Sequence, residues 1–298
     1  MASARRIVTG ASAQTVGASE PGAALPTPKP FLKWAGGKGR LASEVLQRLP
    51  ERIDTYFEPF LGGAAIFFAL SNAGRFQKAI LTDKNAELVE VYQTVQQNVE
   101  ELLVALAAMP HSEQAYYEIR AQSPRGRIGR AARTIYLNRT GYNGLYRVNR
   151  SGEFNVPFGR YKNPTYCDPP RLRAASLALK NAQIFVADFE HVAQRATQGD
   201  AVYFDPPYVP VSRTANFTAY HREPFGPEDQ GRLVQAFRQL GARKVHALLS
   251  NSDTPETQQL YAGLHVERVL MPRAINSRGA GRGLVGELLV SHRQEAKK

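Results

Sequence analysis

Apolar segments with the length of buried strands alternate with helix-like segments along most of this chain. Residues 54–70, DTYFEPFLGGAAIFFAL, predict a strand, a glycine turn and a helix, and residues 78–95, KAILTDKNAELVEVYQTV, repeat that pattern. Further strands are predicted at 182–189, 201–208, 245–251, 265–272 and 286–292. Strands that alternate with helices pack as a mainly parallel sheet with helices on both faces. We therefore predict an α/β fold.

One of these strands ends on a carboxylate. In GDAVYFDPPYVP (199–210), the apolar run Ala201–Phe204 leads into Asp205, and two prolines and Tyr208 follow. Asp-Pro-Pro alone can be turn chemistry, and a second copy at 168–170 lacks a preceding strand, so we predict a loop there. Ligands of open α/β sheets bind at the carboxyl ends of strands. Asp205 is therefore a candidate ligand-binding residue.

A glycine turn and a second acid add to this candidate site. Gly62 and Gly63 lie between a predicted strand and helix, where glycine allows a ligand to approach the backbone closely. Tight turns need glycine in any case, so the pair is weak evidence by itself. Asp83 ends the next strand, 20 residues beyond Gly63. Nucleotide-binding sheets place the acid that binds a ribose hydroxyl at this separation.

Positive charge is concentrated in one segment. The chain has 298 residues and a formal net charge of +12. Between Arg120 and Arg173 there are twelve lysines and arginines against two acids, Glu153 and Asp168. Tyrosines and phenylalanines are interleaved with these cations, whereas an ordinary solvated face needs no aromatic rings. This composition predicts a surface that binds a polyanion and contacts bases.

Other features exclude whole classes of site. The single cysteine, Cys167, excludes an internal disulfide and a cysteine-rich zinc site, and the six histidines show no metal-ligand spacing, so we predict no metal. The apolar runs are far shorter than 18 residues, which predicts no membrane span. Residues 1–29 are rich in Ala, Ser, Gly, Thr and Pro and predict a disordered tail, with a transit peptide as the weaker alternative.

Within the basic segment, residues 144–159 predict a β-hairpin. Two strand-prone runs in GLYRVNRSGEFNVPFG flank the turn Arg150-Ser151-Gly152. Together with PFLKWAGGK, FEPFLGGAAIFF, TDKN and DPPY, the segment YNGLYRVNRSGEFNVPFGRYKNP closely resembles the Dam-type DNA adenine-N6 methyltransferases. The likeness covers about residues 30–292. DPPY is shared by many amino-methyltransferases, whereas the hairpin is more specific and accompanies recognition of GATC in that family.

The resemblance implies a Rossmann-like methyltransferase sheet with a helical and β-hairpin target-recognition insert. We expect the catalytic domain at 30–108 and 180–298, and the insert at 109–179. The turn Leu61-Gly62-Gly63-Ala64 departs from the Gly-x-Gly that relatives often have, a spacing that is loose within the family.

The resemblance also implies S-adenosyl-L-methionine as the methyl donor. The positions that match the donor site of the family are Trp34, Lys38, Phe57, Glu58, Pro59, Gly62, Asp83, Asp188, Phe189 and Asp205. Lys38 would lie near the methionine part of the donor, and Asp83 would bind its ribose hydroxyls. Asp188 and Phe189 would hold its adenine. The alternative role is core packing for Trp34 and the end of a buried strand for Phe189.

The implied catalytic residues are Asp205, Pro206 and Tyr208. Adenine N6 is a poor nucleophile because its lone pair is delocalised into the ring. Asp205 and the Pro206 carbonyl would accept its two hydrogens and turn the lone pair toward the methyl group, while the prolines preorganise both acceptors. Tyr208 would stack on a base that has left the duplex.

The basic insert would recognise the DNA sequence. Arg147 is the candidate for a bidentate contact to guanine. Asn143, Leu145 and Pro157 match other recognition positions of the family, and Tyr142 could fill the gap left by the extruded base. We assign Arg139 and Arg150 to phosphate contacts.

The expected partner is therefore double-stranded DNA. We expect the protein to be a monomer in the cytoplasm, on the nucleoid, and to be encoded by a bacterium or a phage. Two alternatives stay open from the residues alone. One is an enzyme that acts on cytosine N4 or on RNA adenine. The other is a DNA-binding regulator without catalysis, against which the intact Asp205, Tyr208 and Asp83 argue.

Overall fold

The computed structural model describes residues 25–34, 36–149, 151–209, 225–272 and 284–292. The strands found within these ranges are β1 (Ile53–Glu58), β2 (Phe76–Asp83), β3 (Ala182–Val186), β4 (Ala201–Phe204), β5 (His246–Ser252), β6 (His265–Pro272) and β7 (Leu284–Ser291). The helices there are α1 (Ala42–Arg48), α2 (Ala65–Asn72), α3 (Ala86–Gln97), α4 (Val99–Ala107), α5 (Glu113–Ala121), α6 (Arg127–Thr140), α7 (Pro169–Leu179), α8 (Phe189–Ala193), α9 (Pro227–Ala242) and α10 (Pro255–Leu260).

The seven strands form one sheet in the order β3-β2-β1-β4-β5-β7-β6. Strands β1 to β5 pair in parallel, and β7 is antiparallel to both β5 and β6. The predicted fold class, a mainly parallel α/β sheet, is confirmed. The strand order reverses between β1 and β4, because β1 continues to β2 on one side and β4 continues to β5 on the other. Such a reversal opens a ligand-binding crevice at the carboxyl ends of the strands.

Apolar side chains cover both faces of the sheet. One core cluster contains Phe67, Leu81 and Val91, and it continues into the insert through Tyr136. A second cluster on the other face is built around Phe204, Phe237 and Leu249. Because the larger core is continuous with the insert, the sheet rigidly supports the helices that carry the basic segment.

The second Asp-Pro-Pro copy is not the loop that we predicted. Pro169 and Pro170 form the first turn of α7, and the Asp168 side chain accepts a hydrogen bond from the Arg171 backbone N–H at 3.2 Å. Aspartate is favoured at a helix N-cap, and proline at the first helical position lacks only an N–H that would have no partner there. The tripeptide therefore begins a helix here, whereas at Asp205 it ends a strand.

The predicted hairpin follows the expected path with little regular strand. Its arms run antiparallel and meet in two isolated bridges, Val148 with Phe154 and Gly141 with Phe158. At the tip, the Asn149 N–H donates to the Glu153 carbonyl at 2.8 Å. The insert lies in the connection between β2 and β3, and its limits at 109 and 179 stay predictions.

Two other expectations concern the ends and the membrane. Residues 1–24 of the predicted tail (1–29) lie outside the described residues. Within the rest of that segment, the Pro28 carbonyl accepts a hydrogen bond from Asn72 of α2 at 3.0 Å. None of the described helices has the length and apolar character needed to cross a bilayer.

Candidate active site and nucleic-acid interface

The candidate active site lies at the carboxyl edge of the sheet, where the strand order reverses. Glu58 ends β1, Asp83 ends β2, and Asp205 directly follows β4. Three acids far apart in sequence therefore meet at one edge. Asp83 and Asp205 were predicted as site residues because one ends an apolar strand and the other follows one, whereas Glu58 was predicted from the family resemblance.

The Asp205 carboxylate is held by two side chains. Lys38 Nζ lies 2.9 Å from Asp205 Oδ1, and Ser250 Oγ donates to the same oxygen at 3.2 Å. Among the described residues both partners lie on Oδ1, which leaves Oδ2 as the oxygen for a ligand. Burial raises the pKa of Asp205, and the Lys38 ammonium opposes that rise. The net shift in the pKa of Asp205 is upward, so the ion pair offsets only part of the effect of burial.

Lys38 lies between the carboxylate and an aromatic ring. Its side chain is 5% exposed, and its Nζ donates to the Gly36 carbonyl at 2.5 Å. The same Nζ lies 4.3 Å from the centroid of the Tyr208 ring. A nitrogen that donates hydrogen bonds can therefore contact Asp205 and the face of Tyr208 simultaneously. Lys38 was predicted to bind the methyl donor, but nothing in the sequence indicated its contact with Tyr208.

The loop after β4 is fixed by polar side chains from three other elements. Gln230 of α9 donates to the Pro207 carbonyl at 3.2 Å, and Asn251 of β5 accepts from the Val209 N–H at 3.3 Å. The Tyr208 hydroxyl donates to Glu287 Oε2 of β7 at 2.9 Å. Pro206, whose carbonyl we predicted as a second acceptor, is buried. The two prolines and these three contacts restrict the backbone of the loop.

The glycine turn packs directly against Trp34. Gly62 has φ of +46°, and a Cβ there would lie 3.0 Å from Trp34 Cδ1, so a larger residue would displace the indole. The Gly62 N–H points to Asp83 Oδ2 at 3.3 Å, and Asp83 Oδ1 accepts from the Asn85 N–H at 2.9 Å. Asp83 is therefore oriented by backbone N–H donors beside the turn, and its contact with a ribose stays a prediction.

Glu58 is a buried acid with two hydrogen-bond donors on one oxygen. Its Oε2 accepts from the Tyr56 hydroxyl at 2.7 Å and from the Phe67 backbone N–H at 3.0 Å. Burial raises the pKa of Glu58 to about 8, against the effect of these two donors, and the Asp205 carboxylate adds to the rise. The neighbouring candidates Phe57 and Pro59 are also buried, and Phe57 packs in the second core cluster.

Asp188 and Phe189, the two residues expected to hold the adenine of the methyl donor, lie in different surroundings. Asp188 belongs to a polar network, and Phe189 belongs to the core. Asp188 caps α8 and contacts Lys84 at 2.7 Å and Arg232 at 3.2 Å. Burial raises the pKa of Asp188, but the hydrogen bond from Lys84 and the neighbouring cations outweigh it, so the net shift is downward. Phe189 is 1% exposed and stacks on Phe60 at 5.6 Å between ring centroids. Its contact with a donor stays a prediction.

The predicted recognition residues are mostly exposed at the hairpin. Tyr142 is 51% exposed, and Asn143, Arg147 and Pro157 are exposed as well, while Leu145 is half-buried. The Arg147 guanidinium crosses to the opposite arm, where Nε donates to Asn155 Oδ1 at 2.7 Å. Its Nη2 donates to the Asn155 carbonyl at 3.2 Å. An exposed guanidinium held by one residue of the opposite arm can exchange that partner for a base edge.

Of the two arginines predicted to contact phosphates, Arg139 lies among the described residues. Arg139 of α6 donates from Nε to the Thr165 carbonyl at 2.8 Å. Burial, with the nearby Arg171 cation, lowers the pKa of Arg139. Arg150 lies outside the described residues.

The insert is tied to the segment that carries Trp34. Asn138 of α6 is 1% exposed, accepts from the Lys33 N–H at 2.8 Å and donates to the Lys33 carbonyl at 2.7 Å. The Trp34 ring lies 5.4 Å from that of Tyr146 in the hairpin. Residues next to the candidate donor site therefore contact the hairpin directly.

Sequence reasoning missed Ser250, Asn138 and Glu287. Ser250 and Asn251 end the apolar run of β5 as Asp205 follows that of β4, a polar ending that could have been noticed. Glu287 is the second residue of the short stretch GELLVSH, where the acid precedes the apolar run. No local signal identifies Asn138, since its partners lie 105 residues away in sequence.

Comparison with known proteins decides the family. The profile of the D12 class N6 adenine-specific DNA methyltransferases matches residues 34–275. The chain belongs to this family. The resemblance stated from the motifs is therefore confirmed, and the enzyme is an adenine-specific DNA methyltransferase that acts on DNA.

Individual relatives agree with this assignment. The chain is 39% identical over 274 residues to the type II methyltransferase M1.LlaDCHI of Lactococcus lactis subsp. cremoris, covering 89% of this chain and 95% of the relative. It is 40% identical over 270 residues to the DNA adenine methylase of Salmonella typhi, covering 87% and 93%. A solved precorrin-6y C5,15-methyltransferase from Geobacter metallireducens aligns over 90% and 94% of the chains with a TM-score of 0.38 and 10% identity. The fold assignment depends on the strand order instead.

Proposed function

We propose that the enzyme transfers a methyl group from S-adenosylmethionine to adenine N6 in double-stranded GATC sites, after the base leaves the duplex. The observation that carries the proposal is the position of Lys38 Nζ. This nitrogen is 2.9 Å from Asp205 Oδ1 and 4.3 Å from the Tyr208 centroid. An adenine stacked on Tyr208 would place its amino nitrogen in the same region. Lys38 would then withdraw toward the methionine part of the donor.

The residues at the carboxyl edges of β1 and β2 suit the proposed donor. S-adenosylmethionine supplies an electrophilic methyl group when it is bound. Gly62 leaves no Cβ in the turn beside Trp34, and Asp83 is already oriented by two backbone N–H groups. Asp83 would accept from ribose hydroxyls, and Asp188 would lie at the adenine end. Glu58 and Pro59 would form the wall between donor and target.

Asp205 would act on the target as a positioning acceptor. Its Oδ1 is engaged by Lys38 and Ser250, so Oδ2 would accept one N6 hydrogen and the Pro206 carbonyl the other. This geometry aims the lone pair at the methyl group, and the excess proton is lost after transfer. Extrusion of the base costs a few kcal/mol, which contacts with Tyr208 and Tyr142 would offset.

Sequence recognition would come from the exposed hairpin. Arg147 would release Asn155 and bind guanine through two hydrogen bonds, while Asn143, Leu145 and Pro157 contact neighbouring bases. Arg139, Arg150 and the other cations of the insert would contact phosphates. We further propose that the enzyme works as a monomer in the cytoplasm.

Two measurements test this function. Mass spectrometry of nucleosides from treated duplexes should find N6-methyladenine in GATC DNA and little in duplexes altered at one guanine. Methylcytosine, or equal methylation of every duplex, would contradict the proposal.

Calorimetry should show that Asp83→Ala weakens S-adenosylmethionine binding about tenfold while DNA binding persists, as expected from loss of charged hydrogen bonds. Unchanged donor affinity would remove Asp83 from the site.

A further inference from the structure

Glu287 reaches the active site from a strand that runs against the others. Since β7 is antiparallel to β5, its first residues lie at the same edge as the carboxyl ends of β4 and β5. Glu287 is paired in register with Ser252 of β5 and Val269 of β6, so its backbone is fixed on both sides. The carboxylate is therefore presented to the site from a rigid position.

The contact that Glu287 makes is with the ring proposed to carry the target base. Tyr208 is half-buried, and its hydroxyl donates to Glu287 Oε2 at 2.9 Å. Burial, with the nearby Asp205 and Glu287 carboxylates, raises the pKa of Tyr208 well above its usual value. The hydroxyl thus keeps its proton and stays a donor. The ring is held at two points, at its backbone by the restricted loop and at its hydroxyl by β7.

This second attachment has a geometric consequence. A tyrosine anchored only at its backbone can rotate about its side-chain torsions, and rotation would tilt a stacked base away from Asp205. Reacting groups need to be held closely for efficient transfer, and small errors of position lower rates strongly. The hydroxyl contact removes this rotational freedom, whereas a stacking platform by itself needs no hydroxyl.

We propose that Glu287 is a positioning residue for the target adenine, acting through the Tyr208 hydroxyl to hold the ring at the orientation in which the stacked base presents its amino group to Asp205. The inference rests on the proposed function and adds to it a residue on a strand that carries none of the motifs. Glu287 acts as a hydrogen-bond acceptor in this role, so its negative charge is not what matters.

The test compares four variants with wild type. Glu287→Ala removes the acceptor, Glu287→Gln retains an acceptor without charge, and Tyr208→Phe removes the donor but keeps the ring. The fourth variant combines Glu287→Ala with Tyr208→Phe. The exposed Glu256 of α10, changed to alanine, is the matched control. Single-turnover methylation of a GATC duplex measures transfer, and the fluorescence of 2-aminopurine at the target position measures how the extruded base is stacked.

We expect Glu287→Ala and Tyr208→Phe to slow transfer by the same factor, about tenfold, because each removes the same hydrogen bond, from the Tyr208 hydroxyl to Glu287. The double variant should be no slower than either single one. Both should change the 2-aminopurine signal of the bound complex. Glu287→Gln and Glu256→Ala should stay close to wild type, and donor affinity should be unchanged throughout.

Three results would overturn the inference alone: transfer as slow in Glu287→Gln as in Glu287→Ala, a wild-type rate in Tyr208→Phe, or additive losses in the double variant. If Glu287→Ala fails to fold, the comparison of Tyr208→Phe with Glu287→Gln still decides. A wild-type enzyme that leaves 2-aminopurine stacked in the duplex would overturn the proposed base extrusion, and this inference with it.

Discussion

The sheet edge and the hairpin hold their functional side chains in different ways. At the sheet edge, Lys38 is 5% exposed and contacts Gly36, Asp205 and Tyr208. At the hairpin, Arg147 is exposed and its described hydrogen bonds go to Asn155 alone. The sheet-edge groups are locked by partners from several elements, while the hairpin group has an exchangeable partner on the opposite arm.

This difference matches the two tasks. Transfer of a methyl group requires acceptors that are already oriented, because reorganisation during the reaction raises the barrier. Recognition requires side chains that give up water and weak partners for base edges. The largest expected effects therefore belong to the sheet edge, and the hairpin should affect preference more than rate.

The sharpest test of the comparison is Asp205→Ala. Removing one preorganised hydrogen-bonding group costs about 10²–10³ in turnover elsewhere, and we expect a loss of that size here, with sequence preference in binding retained. Methylation and binding are measured separately on matched and altered duplexes. Asp168→Ala is the matched control, since it changes the same tripeptide at a helix cap and should lower stability instead of turnover. Near wild-type methylation by Asp205→Ala would refute its role.

Arg147→Ala should fail in the opposite way. A bidentate arginine–guanine contact provides roughly 1–3 kcal/mol of discrimination, so preference should fall about tenfold to a hundredfold at one guanine-containing pair. Transfer on the preferred duplex should persist. The same assays measure this variant. Its control is Arg195→Ala, which changes an exposed arginine two residues after the end of α8. An equal loss of turnover on every duplex would mean that the hairpin and the sheet edge are not separable.

Glu58 tests whether burial at the sheet edge has a stability cost. The pKa of Glu58 is about 8 in the folded protein, against an ordinary value of 4.5. Between pH 4.5 and pH 8, the Glu58 carboxyl therefore keeps its proton in the folded protein and loses it in the unfolded chain. The stability that Glu58 contributes is full below about pH 4.5 and is lost as the pH rises through 8, by up to about 1.4 kcal/mol per unit.

Glu58→Gln keeps an oxygen that accepts from Tyr56 and Phe67 but cannot ionise. Its free energy of unfolding, from urea titrations at pH 6, 7 and 8, should therefore fall less with pH than that of wild type. Parallel curves for the two proteins would show that Glu58 does not retain a raised pKa in the folded state.

Much of this organisation could be predicted from local sequence. Apolar runs that end on Asp83 or lead into Asp205 identified both the strands and the site, because a parallel sheet brings carboxyl ends to one edge. The role of Asp168 was not recognised, since the tripeptide without a preceding strand fits a loop as well as the start of a helix, and the helix that follows decides between them. Contacts such as Tyr208 with Glu287, or Asn138 with Lys33, join residues 79 and 105 positions apart and depend on the packed fold.

The smallest expected effect concerns the cations that neither react nor discriminate. Each phosphate neutralised by the insert should contribute about −0.9 to the log–log slope of DNA affinity against salt concentration, because each releases condensed counterions. Lys162 is exposed beside the hairpin, so Lys162→Ala should make the slope shallower by about 0.9 and weaken binding equally on GATC and altered duplexes. Lys180 is also exposed but lies two residues before β3, at the amino ends of the parallel strands and opposite the site. Lys180→Ala should therefore leave the slope unchanged. Fluorescence-anisotropy titrations between about 50 and 200 mM salt measure both variants. A wild-type affinity that hardly changes with salt would show that the basic insert does not bind the DNA backbone, and equal slopes for both lysine variants would remove Lys162 from that surface.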